Sequence, residues 1–130
     1  MLTVVAALIQ SDGKFLICQR KRGSSFEMMW EFPGGKVKSG ETLERALARE
    51  LEEELGTSAT IGCEVYRTQH RYAELSEPIE LIFFRAEVDA TKVQNLVFEN
   101  IKWIAASALP SMNFLPADRE LIEKLAGGEL

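Results

Sequence analysis

The chain has 130 residues, 46% of them hydrophobic and 27% charged, with a formal net charge of −5. That length fits one domain, 1–130, with a sizeable core, and the composition excludes a disordered chain. The acidic balance argues against a long non-specific nucleic-acid groove, which needs a basic surface, but allows one small phosphorylated ligand whose charge a metal and a few local cations offset.

Leu2 to Gln10 is rich in Val, Ile, Leu and Ala and precedes Ser11-Asp12-Gly13; Lys14 to Gln19 is apolar again. Two such runs about a DG turn predict a β-hairpin. The first run is too short to cross a bilayer and has no basic leader, so no membrane segment is expected. Arg20 to Met29 is polar and carries three basic residues, which predicts an exposed loop. Trp30-Glu31-Phe32 reads as a short strand that Pro33-Gly34-Gly35 breaks. Leu43, Leu47, Leu51 and Leu55 recur every four residues within Thr42 to Leu55, the clearest helix, and Gly56 stands where a terminating glycine belongs. Thr60 to Tyr72 and Ile79 to Val88 read as strands about the polar turn Glu74 to Pro78. Val97 to Ile104 is a further short strand. Pro116 opens a last helix with Leu121, Ile122 and Leu125 on its apolar face, and Gly127-Gly128 ends it. Cys18 and Cys63 lie in strand-like stretches without CxxC spacing and are read as buried thiols, which suits a reducing, cytoplasmic setting. The fold class is α/β (α+β), a mixed sheet layered with two main helices.

The chemistry concentrates in Gly35 to Thr57. Glu50, Glu53 and Glu54 stand at i, i+3 and i+4, so three carboxylates project from one helix face. Like charges that close repel one another. A hard divalent cation such as Mg²⁺ or Mn²⁺ relieves the repulsion and prefers oxygen ligands. Arg49 precedes them and can orient a carboxylate through its two-pronged guanidinium. A lone acidic face of this kind is ordinarily a solvated surface. Here the spacing is G-x5-E-x7-R-E-U-x-E-E-x-G-U, where U is bulky and aliphatic. Gly35, Glu41, Arg49, Glu50, Glu53, Glu54 and Gly56 fill every fixed position and Leu51 the first U; Thr57 departs at the second. At residue frequencies of roughly 5–7%, such a coincidence occurs on the order of 10⁻⁹ per start position.

This pattern resembles the signature of the Nudix hydrolases, and the likeness extends along essentially the whole chain toward the MutT-like branch acting on nucleoside triphosphates. Trp30-Glu31-Phe32-Pro33-Gly34-Gly35-Lys36 is similar to the segment leading into that signature. Gln19-Arg20 is similar to a phosphate-contacting site, and Phe114-Leu115-Pro116-Ala117-Asp118 to a base-reading one. The resemblance implies a mixed sheet between helices and Mg²⁺-dependent hydrolysis of a (deoxy)nucleoside triphosphate to monophosphate and pyrophosphate, with Mn²⁺ a substitute. Such an activity would serve nucleotide-pool sanitation. A dinucleoside polyphosphate, ADP-ribose or a nucleotide sugar is the alternative substrate. A non-catalytic nucleotide-binding module is the alternative outside enzymes, although such a module would be expected to lose acids that are all present here. The expected partner is a small nucleotide, with no nucleic-acid polymer and no membrane, for a monomer or homodimer.

The resemblance also assigns roles. Glu50 is the candidate general base, Arg49 holds it, and Glu53 acts with them. Glu50, Glu53, Glu54 and the carbonyl of Gly34 are candidate metal ligands. Glu41 is expected to stabilise the loop–helix junction. Arg20 would meet a phosphate. Phe32 would stack on the base or belong to the core. Glu31 would help hold base or metal, or pair only with Lys36. His70 reads as structural or partly exposed. Relatives often carry another acid where Val97 stands, so Glu99, two residues on, is the candidate replacement among the metal ligands. Relatives that act on oxidised guanine nucleotides often carry Asn where Asp118 stands. An ionised Asp only accepts hydrogen bonds and so favours a base amino group such as cytosine N4, whereas a protonated Asp would read a different edge. Its alternative role is to stabilise the first turn of the last helix.

Overall fold

The structure is a computed structural model that describes all 130 residues. Its strands are β1 (Leu2–Ser11), β2 (Lys14–Gln19), β3 (Trp30–Glu31), β4 (Gly34–Lys36), β5 (Ala59–His70), β6 (Ile79–Val88) and β7 (Asn100–Ala105); its helices are α1 (Leu43–Leu55) and α2 (Arg119–Ala126). No helix is long and apolar enough to cross a membrane.

The β1–β2 hairpin forks, and the site grows out of that fork. The strands pair with each other only beside their turn, at Gln10 with Phe15 and Ser11 with Lys14. One edge of β1 is taken by β6, which runs parallel to it from Leu2 to Ile9. One edge of β2 is taken by antiparallel β7 from Lys14 to Gln19. The inner edges therefore face each other across a widening gap, and Trp30 to Lys36 fills it. Glu31 and Trp30 pair with Cys18 and Gln19 of β2, and three residues later Gly34 begins pairing with Ala6 of β1. β5 completes the sheet as an antiparallel neighbour of β6, with register shifts about Ile61 to Tyr66.

Alternation along β1 makes the layers, because successive strand side chains point to opposite faces. Val5, Ala7 and Ile9 pack with Leu47, Leu51 and Leu55 of α1. Ala6 and Leu8 join Phe32, Phe83, Phe114 and the α2 residues Leu121, Ile122 and Leu125. The mixed sheet thus lies between α1 and α2.

Both ends of α1 are closed by residues suited to it. Thr42 Oγ1 accepts from Arg45 N at 3.1 Å, and Gly56 takes the left-handed conformation (φ 67°) while its N–H donates to Glu52 O. Several boundaries differ from the sequence expectations. Pro33-Gly34-Gly35 does not simply break a strand: Gly34–Lys36 is itself one, because the fork offers it an edge. β5 ends at His70, so Tyr72 lies beyond it, and β7 begins at Asn100, not Val97. Pro116 opens a 3₁₀ turn, Pro116–Asp118, and α2 starts only at Arg119. Cys18 is buried as expected; Cys63, in the irregular part of β5, is exposed, and both are free thiols.

Candidate active site

α1 carries the box residues against β4, and two glycines allow the close fit. A Cβ on Gly34 would overlap the carbonyl of Val5 on β1. A Cβ on Gly35 would overlap the carboxylate of Glu50. The backbone of β4 can thus lie between β1 and the acidic face of α1, and Gly34 N donates to Glu54 Oε1 at 3.1 Å.

Arg49 organises the rest. Its Nε donates to Glu41 Oε2 at 2.7 Å and its Nη2 to Glu41 Oε1 at 2.9 Å. Nη1 reaches Glu50 Oε1 at 3.0 Å and, more weakly, Glu53 at 3.4 Å; Nη2 also reaches the Lys36 carbonyl at 3.1 Å. Glu41, which also accepts from Lys38 N at 2.8 Å, braces the loop–helix junction as expected. The bond from Arg49 draws the Glu41 pKa down to about 2, and the same bond raises that of Arg49. A planar guanidinium that grips three carboxylates, Glu53 more weakly, and a carbonyl fixes Glu50 in place.

Glu54 is the electrostatically strained member. Burial, then the charges of Glu50 and Glu31, push its pKa up to about 8, against the single bond from Gly34. No three acidic, His or Cys side chains converge as a ready-made cage; Arg49 gathers Glu41, Glu50 and Glu53 instead. The donor set nevertheless fits a hard divalent cation. It consists of carboxylate oxygens, and Glu54 sits among negative charges that one bond does not compensate.

A cleft of ≈ 240 Å³ adjoins this acidic group at Gly34, Gly35 and Glu54 and is lined as well by Leu115 and Asp118, just before α2. Its polar wall carries Arg20, Glu31, Lys36 and Glu54. Arg20 Nη1 donates to both oxygens of Glu31, at 3.2 and 3.1 Å, and its Nε to Ser25 O at 2.7 Å. Glu31 thus pairs with Arg20 and not with Lys36. Burial raises its pKa, with Arg20 opposing. The apolar wall includes Phe32, Tyr72, Leu81 and Leu115. Phe32 belongs to the core, as one of its two expected roles has it: it is 3% exposed and packs on Phe83 and Phe114, and it also borders the cleft.

Asp118 stands just before α2. It is 3% exposed and lines the cleft, and it makes no side-chain cap bond to α2. Burial, then Glu31, hold its pKa well above the carboxylate range. The hydrogen-bonding helix cap is therefore not its role. Glu99 is not brought to the cleft. It is exposed, and its Oε1 accepts from Arg22 N at 3.2 Å, so it ties the loop after β2 to the loop before β7. In this arrangement Glu99 does not line the cleft, so its expected place among the metal ligands is not formed here. His70 is half-buried against Tyr72, as a structural residue would be.

Tyr72 went unmarked in the sequence. Its hydroxyl accepts from Ala117 N at 3.1 Å, joining the end of β5 to the turn that carries Asp118. A partner 45 positions away leaves no periodic trace. The only cue was an aromatic beside the polar turn at Glu74.

Comparison with known proteins agrees with this geometry. Residues 1–125 match the family model described as NUDIX domain. A CTP pyrophosphohydrolase of Escherichia coli (strain K12) is 36% identical over 123 residues, covering 95% of this chain and 90% of that protein. An 8-oxo-dGTP diphosphatase of Haemophilus influenzae is 35% identical over 127 residues, covering 96% and 91%. A crystal structure of a MutT protein from Methanosarcina mazei Go1 has a TM-score of 0.86 at 26% identity, covering 98% of this chain and 94% of that one. Family, fold and an intact Gly35-to-Gly56 signature lead to one statement: this chain belongs to the Nudix hydrolases.

Proposed function

We propose that the chain hydrolyses a nucleoside triphosphate, with Mg²⁺ as cofactor, to the monophosphate and pyrophosphate, and that a cytosine-type base is favoured with oxidised guanine the main competitor. The observation that carries this reading is one cleft lined by two chemically different sets of residues. Gly34 and Glu54, on which the charges of Glu50 and Glu53 act, form one; Phe32 and the buried acid Asp118 belong to the other. Phosphates need the first and a base the second. The named activities of the relatives support it.

Glu50, Glu53, Glu54 and the Gly34 carbonyl would hold the metal, which supplies charge neutralisation at phosphate oxygens and a lowered pKa for bound water. Nudix hydrolases generally use divalent metals. Glu50, locked by Arg49, takes a proton from the attacking water. The water oxygen bonds to a phosphorus of the α–β bridge, and the bridging P–O bond breaks. Monophosphate and pyrophosphate leave. Arg20 exchanges part of its pairing with Glu31 for a phosphate oxygen, and Lys36 adds a second cation. The whole chain, 1–130, works as one domain. Two unpaired cysteines support a reducing, cytoplasmic setting.

The test is a product profile. Purified protein with Mg²⁺ and a panel of normal, oxidised and methylated nucleoside triphosphates should release pyrophosphate and monophosphate in equal amounts. Turnover confined to dinucleoside polyphosphates, ADP-ribose or nucleotide sugars would reject the triphosphate reading.

A further inference from the structure

Two polar side chains that line the cleft leave hydrogen-bonding capacity that the protein does not use. Asp118 is 3% exposed and its carboxyl has no helix-cap bond. Tyr72 is 7% exposed, and its ring packs against Phe26 and His70 with centroids 4.8 and 4.4 Å away. The phenol oxygen accepts from Ala117 N at 3.1 Å. A phenol that accepts a bond still has its own proton to give. No buried side-chain polar atom of the molecule is sealed off without a partner, so the unbonded Asp118 carboxyl reaches open space, and both side chains line the cleft. The Ala117 bond also fixes the phenol beside the next residue, Asp118. Burial, followed by the charges of Asp118 and Glu31, keeps the Tyr72 hydroxyl protonated by raising its pKa, the Ala117 bond opposing.

We propose that Tyr72 is a specificity-determining residue, the donor half of a donor–acceptor pair with Asp118 that reads the pairing edge of a base with an amino group next to an unprotonated ring nitrogen. Cytosine (N4, N3) and adenine (N6, N1) present that edge; uracil and guanine carry a proton on the corresponding nitrogen. Asp118 accepts from the amino group, and in either protonation state an oxygen remains to do so. Tyr72 donates to the ring nitrogen. The inference rests on the reading that the cleft takes a nucleoside triphosphate with its base at Asp118.

The experiment compares kcat/KM for CTP, 3-deaza-CTP, ATP, UTP and GTP in the wild type, Tyr72→Phe and Asp118→Asn, alongside melting temperatures. Wild type should favour CTP over the 3-deaza analogue, which lacks the N3 acceptor, by roughly tenfold, the scale of one hydrogen bond. Tyr72→Phe should bring that ratio close to one, with kcat/KM falling further for CTP than for UTP. Asp118→Asn should keep the 3-deaza discrimination and narrow the gap between CTP and UTP. ATP against CTP shows which of the two bases the cleft accommodates. An equal fall for CTP and 3-deaza-CTP in Tyr72→Phe, with a lowered melting temperature, would make Tyr72 only the anchor of Ala117 and overturn the proposal. If Tyr72→Phe does not fold, the wild type alone decides, because equal kcat/KM for the two analogues also overturns it. A wild type that turns over only guanine-type triphosphates removes the base reading beneath it, which is a distinguishable failure.

Discussion

At the scale of single residues, Arg49 explains why the box needs an arginine and not merely a cation. Its fork holds Glu41 through two nitrogens and Glu50 through a third, a geometry a lysine ammonium cannot reproduce. Glu50→Gln removes the proton acceptor but leaves a side chain of the same shape. The expected fall in kcat is ~10²–10⁴ with little change in melting temperature. Glu53→Gln and Glu54→Gln each remove a charged oxygen and should raise the Mg²⁺ concentration needed for half-maximal rate. Steady-state kinetics against Mg²⁺ checks all three, and near-wild-type behaviour in every variant would dissolve the site. Glu99 makes the contrast. Its carboxylate serves Arg22 N on the surface, so Glu99→Gln should leave kcat and Mg²⁺ dependence unchanged and shift stability by no more than about 0.5 kcal/mol. A hundredfold loss would bring Glu99 back to the chemistry.

At the scale of elements, the junction of β4 with α1 separates packing from catalysis in two neighbouring positions. At Gly34 a side chain would meet the fixed backbone of Val5, whereas at Gly35 it would meet the movable end of Glu50. Gly34→Ala should therefore destabilise the fold, by about 1–3 kcal/mol or more, the cost of forcing atoms into a packed interior. Gly35→Ala should fold almost normally but push Glu50 aside and lose about 10²-fold in kcat, since small misplacements of a catalytic group are expensive. Thermal melts beside single-turnover rates distinguish them, and equal melting losses would refute the distinction. The same junction shows why some elements were legible in the sequence and others were not. α1 announces itself because its leucines, its Thr42 cap and its Gly56 stop all point to one helix. β4 does not, because Pro33-Gly34-Gly35 has the composition of a breaker and becomes a strand only where β1 and β2 diverge. Glu50, Glu53 and Glu54 were readable from helical spacing alone. The partners Arg20–Glu31 and Tyr72–Ala117 are matched by the fold, across 11 and 45 positions.

At the scale of the whole molecule, the cleft is lined both by box residues and by the turn before α2, so distant parts of the chain meet in one electrostatic field. Glu31 lines the same cleft and raises the pKa of both Glu54 and Asp118. A buried acid such as Asp118 costs stability whenever it ionises, and that cost gives a pH signature. The folded-state pKa of Asp118 lies above its ordinary value of 3.8, with burial the main cause and Glu31 the second. The folded chain therefore holds this proton more tightly than the unfolded chain. The stability gained is fully present below the unfolded pKa and is lost as pH rises through the folded pKa. The charged or titratable neighbours acting on this acid are Glu31, already paired with Arg20, and Tyr72, which stays neutral; none supplies a direct positive partner that would reverse the sign. Asp118→Asn keeps the shape and cannot ionise. Its melting temperature minus that of the wild type should become more positive as pH rises from 5 toward 8, measured by calorimetry without nucleotide. A cytosine-type triphosphate should then restore part of the wild type's deficit, because its amino group gives Asp118 the donor that the protein withholds. A difference that stays flat across this range would mean that Asp118 ionises without hindrance and that the cleft does not hold it in a dry, acidic corner.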